Sequence, residues 1–252
     1  MAWNIYRYIG DGLHIFSKAF LLSTIAYNRS VSGLSKRTQI LYSLVFVSRY
    51  LDVFVFEQIA YLLYVKLGYI CSSFFALALF TVMKASYQVQ SDTCNIFVIV
   101  IPCAIAAILF GNDSTVMELA WTFSQFLEGF AMVPQYVFCY REAGNSELGT
   151  TVYVIAMGCY RVCYILNWLD RMTKEAYYVD WISWTGGAIN LAFFLDFLLS
   201  RFADVSLLRA NVLRADNKIN TISEKVEAQV LGTSPPEVTS AQAEYDETWA
   251  FT

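Results

Sequence analysis

Charge is what this chain has least of. Only 15% of its 252 residues are Asp, Glu, Lys or Arg, whereas a soluble domain carries roughly 25%. An ordinary water-soluble fold is thereby excluded. The chain has one histidine and no HExxH motif, paired aspartates or Ser/His/Asp set, so the groups of a hydrolase are missing. Its six cysteines (Cys71, Cys94, Cys103, Cys139, Cys159, Cys163) lie mostly in apolar runs without CxxC spacing. They read as small buried hydrophobes, neither disulfides nor metal ligands. Basic stripes are missing too. The net charge is −4, and residues 216–252 hold seven acids against Lys218 and Lys225, which excludes a nucleic-acid surface. At the N-terminus there is no basic n-region before an apolar core and no A-x-A-like cleavage site, so the first apolar segment is expected to remain as a helix. The expectation is a protein without catalysis, cofactor or metal.

What the chain has instead is apolar surface, with 57% hydrophobic and 17% aromatic residues. That composition belongs to an all-α polytopic membrane protein. Segments 8–27, 38–56, 59–82, 96–110, 116–140, 149–169 and 181–202 approach the ~20 residues that cross a bilayer. Seven helices are predicted over 1–203. The fourth offers only 15 uncharged residues, which suits the thinner bilayer of the early secretory pathway. Arg29, Lys36, Arg37, Lys84, Arg141, Arg201, Arg209 and Arg214 all fall on one side of this arrangement, which assigns that side to the cytosol and the N-terminus to the lumen. The sequon at Asn112 lies in a tight lumenal loop and Asn28 in a cytosolic one, so both are expected to stay unmodified. Helices two and six carry comparable polar insertions, SRYLD at 48–52 and YRVCY at 160–164. Two three-helix halves joined by a linker helix follow, as in many transporter folds.

Beyond Phe202, the spacing of Val205, Leu208, Val212, Ala215, Ile219, Ile222 and Val226 predicts an amphipathic cytosolic helix within 204–231. Two readings stay open. The helix either lies on the membrane with Arg209, Arg214 and Lys218 toward the headgroups, or forms a coiled coil with a partner. Residues 232–252 are Pro-, acid- and Ser/Thr-rich and are expected to be disordered.

Charged or titratable residues in or at the edge of apolar segments mark the candidate site, because an unpaired charge there costs ~2.5–3.5 kcal/mol or more. Arg7, His14, Arg49, Asp52, Glu118, Glu128, Arg161, Arg171 and Asp196 are such residues. Arginine holds a carboxylate bidentately at any physiological pH, so Arg7, Arg49 and Arg171 near the lumenal ends suggest an anionic ligand with more than one carboxylate. The competing reading is internal pairing, with Asp52 one turn from Arg49 and within reach of Arg161. Glu118 and Trp121 share a helix face that suits an ammonium group, though Trp121 also reads as an interfacial belt residue. Pro134-Gln135 falls inside helix five and permits a kink. His14 is a group whose protonation responds between pH ~5 and 8, with Glu128 and Tyr160 as its expected neighbours.

RYIGDGLH at 7–14, RYLD at 49–52, ELAWTF at 118–123, FLEGFAMVPQ at 126–135 and YRxxYxxNW at 160–168 together resemble the KDEL-receptor family, the ER lumen protein-retaining receptors. The resemblance covers about residues 1–202. It implies a fold akin to SWEET and PQ-loop transporters and a lumenal pocket for the C-terminal tetrapeptide of escaped ER proteins, captured in the acidic Golgi and released in the neutral ER. By resemblance, Arg49 with Tyr50 holds the terminal carboxylate, Arg7 and Arg171 the acidic side chains, and Glu118, Trp121 and Asp52 the first, basic residue. Tyr164, Asn167 and Trp168 line the pocket. His14, Glu128 and Tyr160 match positions linked to pH sensing, and Asp196 matches an acid associated with retrograde movement. A COPI-type coat is the implied cytosolic partner. The chain departs from the family at Asp170, where an aromatic is usual, and in its tail, where the amphipathic and acidic segment replaces a short lysine-rich one. A small-solute transporter of the same architecture is the rival reading.

Overall fold

The computed structural model describes residues 4–55, 57, 59–142 and 147–231. The acidic tail 232–252 lies outside the described residues. Among them the fold is all-helical: α1 (Ile5–Asn28), α2 (Lys36–Arg49), α3 (Ala60–Val82), α4 (Phe97–Phe110), α5 (Val116–Phe130), α6 (Val133–Arg141), α7 (Leu148–Lys174), α8 (Trp181–Phe202) and α9 (Arg209–Leu231), with 3-10 turns at Leu51–Phe54 and Lys84–Ser86. Leu62–Val82, Leu148–Lys174 and Trp181–Phe202 are long and apolar enough to cross a membrane. Polar residues or short helices explain the rest. α1 carries Arg7, Asp11 and Lys18, α4 has 14 residues, and two of the expected segments are interrupted.

The first interruption falls in 38–56. α2 stops at Arg49, and the chain continues as the 3-10 turn, which places Arg49 at a helix end and Asp52 beyond it. The second falls in 116–140, which is two helices, α5 and α6, separated at Ala131-Met132. Pro134 has no N–H to give and sits in the first turn of α6, where that loss is tolerated. Its neighbour Gln135 is fully buried and ties the break down. Its Oε1 accepts from the Ser35 N–H (2.9 Å) and its Nε2 donates to the Gly33 carbonyl (3.0 Å). Gly33 has φ +76°, a turn conformation in which a side chain is strained and where a Cβ would meet the Thr150 hydroxyl.

α1 packs mainly on α7, α2 lies between α3 and α5, and α5 also meets α4 and α8. The two expected halves therefore meet along α1–α7 and α2–α5. At the α5–α8 crossing a Cβ on Gly129 would lie 2.6 Å from the Gly186 Cα, so glycine allows the two backbones to touch. The core holds Leu21, Ile25, Leu41, Phe46, Leu127 and Met157 with Tyr42, Tyr136, Tyr153 and Tyr160. α3 and α4 instead expose Leu62, Phe74, Phe75, Phe97, Ile101, Ile105 and Ile108, an apolar surface suited to lipid. All six cysteines are free. Burial in the loop before α4 pushes the Cys94 thiol up to about 12, so it stays protonated.

The ends of the helices form two faces. One, the basic end, collects the C-termini of α1, α3, α6 and α8 and the start of α2. There Asp92 accepts from Ser35 Oγ (2.7 Å), Tyr87 Oη (2.6 Å) and the Arg37 N–H (3.1 Å). α9 lies against this end.

Candidate functional site

The opposite half of the bundle holds a buried charge cluster built from four elements. α2 ends there with Arg49, α5 contributes Ser124 and Glu128, α7 contributes Tyr160 and Arg161, and α1 contributes His14. Glu128 receives two guanidinium groups, Arg49 Nη1 at 2.8 Å and Arg161 Nη2 at 3.1 Å. The Tyr160 hydroxyl donates to Glu128 Oε1 (2.9 Å) and accepts from Arg161 Nη2 (2.8 Å). Arg49 also donates from Nε to Ser124 Oγ (3.1 Å) and from Nη2 to the Ser124 carbonyl (3.2 Å). These contacts use three of the five guanidinium donors and hold the group flat against α5. The pairing corrects one expectation. Arg161 pairs with Glu128 and Asp52 with Lys66, because the 3-10 turn carries Asp52 toward α3 while Arg161 faces α5. No Asp52–Arg161 pair forms.

His14 lies directly on this cluster. Its ring stacks on Tyr160 at 4.5 Å between centroids, 8° from parallel, with Tyr69, Phe46 and Tyr42 around it. Its buried Nε2 has no hydrogen-bond partner among the described residues. The three residues matched to pH sensing are thus contiguous. One turn along α1 is Lys18, buried beside Gln39 Oε1 (3.4 Å) and over the Tyr42 ring (4.5 Å). Sequence reading passed over it, although a lysine inside an apolar segment four residues from His14 was a visible signal.

From Tyr160 an aromatic ladder climbs α7. Tyr160, Tyr164 and Trp168 recur every fourth residue, at 5.9 and 6.4 Å between successive rings. Gly10 of α1 makes room for Tyr164, and Gly187 of α8 for Trp168. The Tyr164 hydroxyl donates to Asp11, whose other oxygen lies 4.0 Å from Arg7 Nε. Asn167 is buried with its Oδ1 unpartnered among the described residues. At the top, Arg171 is held bidentately by Glu175 (3.0 and 2.7 Å) and lies 3.8 Å over the Tyr178 ring. Asp170 joins Asn4 (2.8 Å) and Lys174 (2.7 Å), tying the end of α7 to the start of α1.

The remaining candidates sit apart. Tyr50 stacks with Phe46 (6.2 Å), and Lys66 Nζ lies 5.9 Å from its ring. Glu118 is bonded by Asn112 (3.2 Å), and Trp121 is half-exposed in the next turn of α5. Asp196 belongs to the basic end. Its carboxylate accepts from Tyr140 Oη (2.5 Å), Ser206 Oγ (2.6 Å) and the N–H groups of Leu207 (2.6 Å) and Leu208 (3.1 Å), which fixes the turn from α8 into α9. Asp11, Lys66, Ser124 and Glu175 complete the site without having been foreseen. Asp11 and Lys66, each a charge inside an apolar segment, carried a sequence signal. No group of three or more metal-ligating side chains gathers among the described residues.

The family model described as ER lumen protein retaining receptor matches residues 30–171. Curated relatives named "ER lumen protein-retaining receptor" include one from Entamoeba histolytica, 33% identical over 78% of this chain and 92% of its own length. Those from Drosophila melanogaster (36%, 77% of this chain and 91% of the relative) and Petunia hybrida (37%, 79% and 94%) are similar over the same extent.

Proposed function

Because the chain belongs to the ER lumen protein-retaining receptor family, a non-enzymatic family of retention receptors, we propose that it binds the C-terminal KDEL- or HDEL-type tetrapeptide of lumenal proteins in the mildly acidic Golgi and releases it in the neutral ER. One observation carries this reading. Two arginines, the partly buried Arg49 and the buried Arg161, converge on the single carboxylate of Glu128, so the cluster holds a surplus positive charge. A buried surplus charge is costly unless a partner arrives. A peptide carboxylate is such a partner, and two donors of Arg49 remain for it.

In this reading Arg49 and Tyr50 hold the terminal carboxylate. Arg7 and Arg171 take the acidic side chains, exchanging Asp11 and Glu175 for the ligand, and Tyr164, Asn167 and Trp168 line the path between. Glu118, Trp121 and Asp52 receive the basic first residue. The N-terminus faces the lumen and the basic end the cytosol, where Asp196 holds the turn into α9 and a COPI-type coat is the partner met without a lysine-rich signal. Capture at low pH follows if binding is coupled to proton uptake at His14, whose ordinary pKa of ~6.5 lies between the two compartments. A proton taken up on binding adds affinity that is complete at low pH and lost as pH climbs, so acid captures and neutrality releases.

The direct test is a binding titration with a KDEL-type peptide as free acid and as C-terminal amide, at two pH values. The free acid is expected to bind about 100-fold more tightly. Equal binding of the two forms would remove Arg49 from its role. Flux of a small solute through reconstituted protein, with no peptide binding, would establish the transporter reading instead.

A further inference from the structure

α9 is tethered to the basic end at three places. Its approach is fixed by Asp196. Midway, Asp216 is buried and accepts from Arg141 Nη2 (2.7 Å) and Thr93 Oγ1 (2.5 Å), while Arg141 also reaches Asn217 (2.5 Å). Farther on, Asn95 donates to Ser223 (2.9 Å). The helix thus turns its polar face, Asp216, Asn217 and Ser223, toward the bundle. Val212 and Leu213 pack against the core, and what remains outward is the later part of the apolar stripe.

That outward surface has two parts. Ala215, Ile222, Val226 and Val230 are exposed along one edge, and Arg214, Lys218 and Lys225 are exposed beside them. At 100° per residue the two groups lie roughly 100° apart round the helix, the polar tether face taking the rest. The tether points lie where the bundle ends: Arg141 closes α6, Asn95 stands two residues before α4, and Asp196 is in the last turns of α8. A helix held along that plane runs parallel to a bilayer surface. The Asn95–Ser223 contact also brings the apolar edge to the start of α4, whose Phe97, Val98 and Ile101 are exposed toward lipid. The exposed apolar residues of α4 and those of α9 thus flank the same Asn95–Ser223 tether.

We propose that α9 is an interfacial helix that places Ala215, Ile222, Val226 and Val230 in the adjoining lipid leaflet and binds anionic headgroups through Arg214, Lys218 and Lys225. An apolar edge flanked by bases is the pattern that lies in the headgroup boundary, attracted by anionic lipid. This assignment is independent of what the charge cluster binds.

A fluorescent amino acid at position 222, or at exposed Glu224 as a control, reports the depth of α9 in full-length protein reconstituted into phosphatidylcholine vesicles containing phosphatidylserine. Spin-labelled lipid of either headgroup serves as quencher. Quenching at 222 is expected to exceed that at 224 several-fold, and the serine lipid to quench more than the choline lipid. The combined variant R214Q/K218Q/K225Q should lose that headgroup preference by up to roughly fivefold per charge. Equal quenching at the two positions overturns the proposal, as does a preference that survives in the variant. Protection of position 222 that grows with the protein-to-lipid ratio overturns it as well, since a second copy would then cover the stripe.

Discussion

The charge cluster around Glu128 and the network around Asp92 and Asp196 are both polar assemblies in a chain built for lipid, yet they are balanced differently. At the basic end Asp92 accepts three hydrogen bonds and Asp196 four, all from neutral hydroxyl and backbone donors. At the other end one carboxylate answers two guanidiniums, while unpartnered buried atoms occur at both ends among the described residues, His14 Nε2 and Asn167 Oδ1 here and Thr38 Oγ1 and Arg141 Nε there. Neutral donors around a carboxylate fix structure. Imbalance leaves room for a ligand to complete the site, at the expense of stability in its absence.

The largest expected effect removes the pivot of the unbalanced cluster. Glu128→Gln leaves the buried guanidinium of Arg161 and the partly buried one of Arg49 without a counter-charge and should destabilise the protein by about 3–5 kcal/mol, read as a lowered midpoint of thermal unfolding in detergent. An unchanged midpoint would mean that water already neutralises the cluster and that the contrast between the two regions is false.

Next is Arg49→Lys. An ammonium has no fork to share between Glu128, Ser124 and an incoming carboxylate, so peptide affinity should fall by about 100-fold while the fold persists. Isothermal titration checks both halves of the statement. Wild-type affinity in the lysine variant would move the carboxylate site elsewhere.

The third effect is on pH dependence. Uptake of one proton makes affinity change by up to tenfold per pH unit through the interval near ~6.5, rising as pH falls. His14→Ala should flatten that slope, because the ring stacked on Tyr160 is then gone. If the slope persists, the proton is carried by a neighbour of the cluster, with Lys18 and Glu128 next to be substituted.

The smallest expected effect on binding comes from the basic end. Truncation after Phe202 removes α9 and the groups that Asp196 and Arg141 hold, yet the cluster is built without them, so peptide affinity should stay within about twofold. Cycling is the sensitive readout: the truncated receptor is expected to accumulate in the Golgi. Normal cycling would show that α9 carries no trafficking signal, and a large loss of affinity would show that the two ends are coupled.

Much of the fold was legible because helix formation and hydropathy are local. The starts and ends of α1, α3, α4, α7 and α8 lie within a few residues of the expected segments, and Pro134 announced the break between α5 and α6. The shortening of α2 was not legible: LYSLVFVSRYLDVFVF reads as one apolar run, and nothing in it says that the helix stops at Arg49. That stop is what misled the pairing of Asp52, since a continuous helix would have placed it differently from the 3-10 turn that carries it to Lys66.

The sequence by itself determined that this is an all-helical membrane protein, that it resembles the retention receptors, and that certain residues are too polar for where they stand. Those statements need only composition, period and motif order. Tertiary structure alone decided which charge answers which: Arg161 to Glu128, Lys66 to Asp52, Asp196 to the turn before α9, and Asp216 to Arg141. Partners in a bundle come from helices that are distant along the chain, and whether two side chains meet depends on where those helices cross and end. No local pattern encodes that.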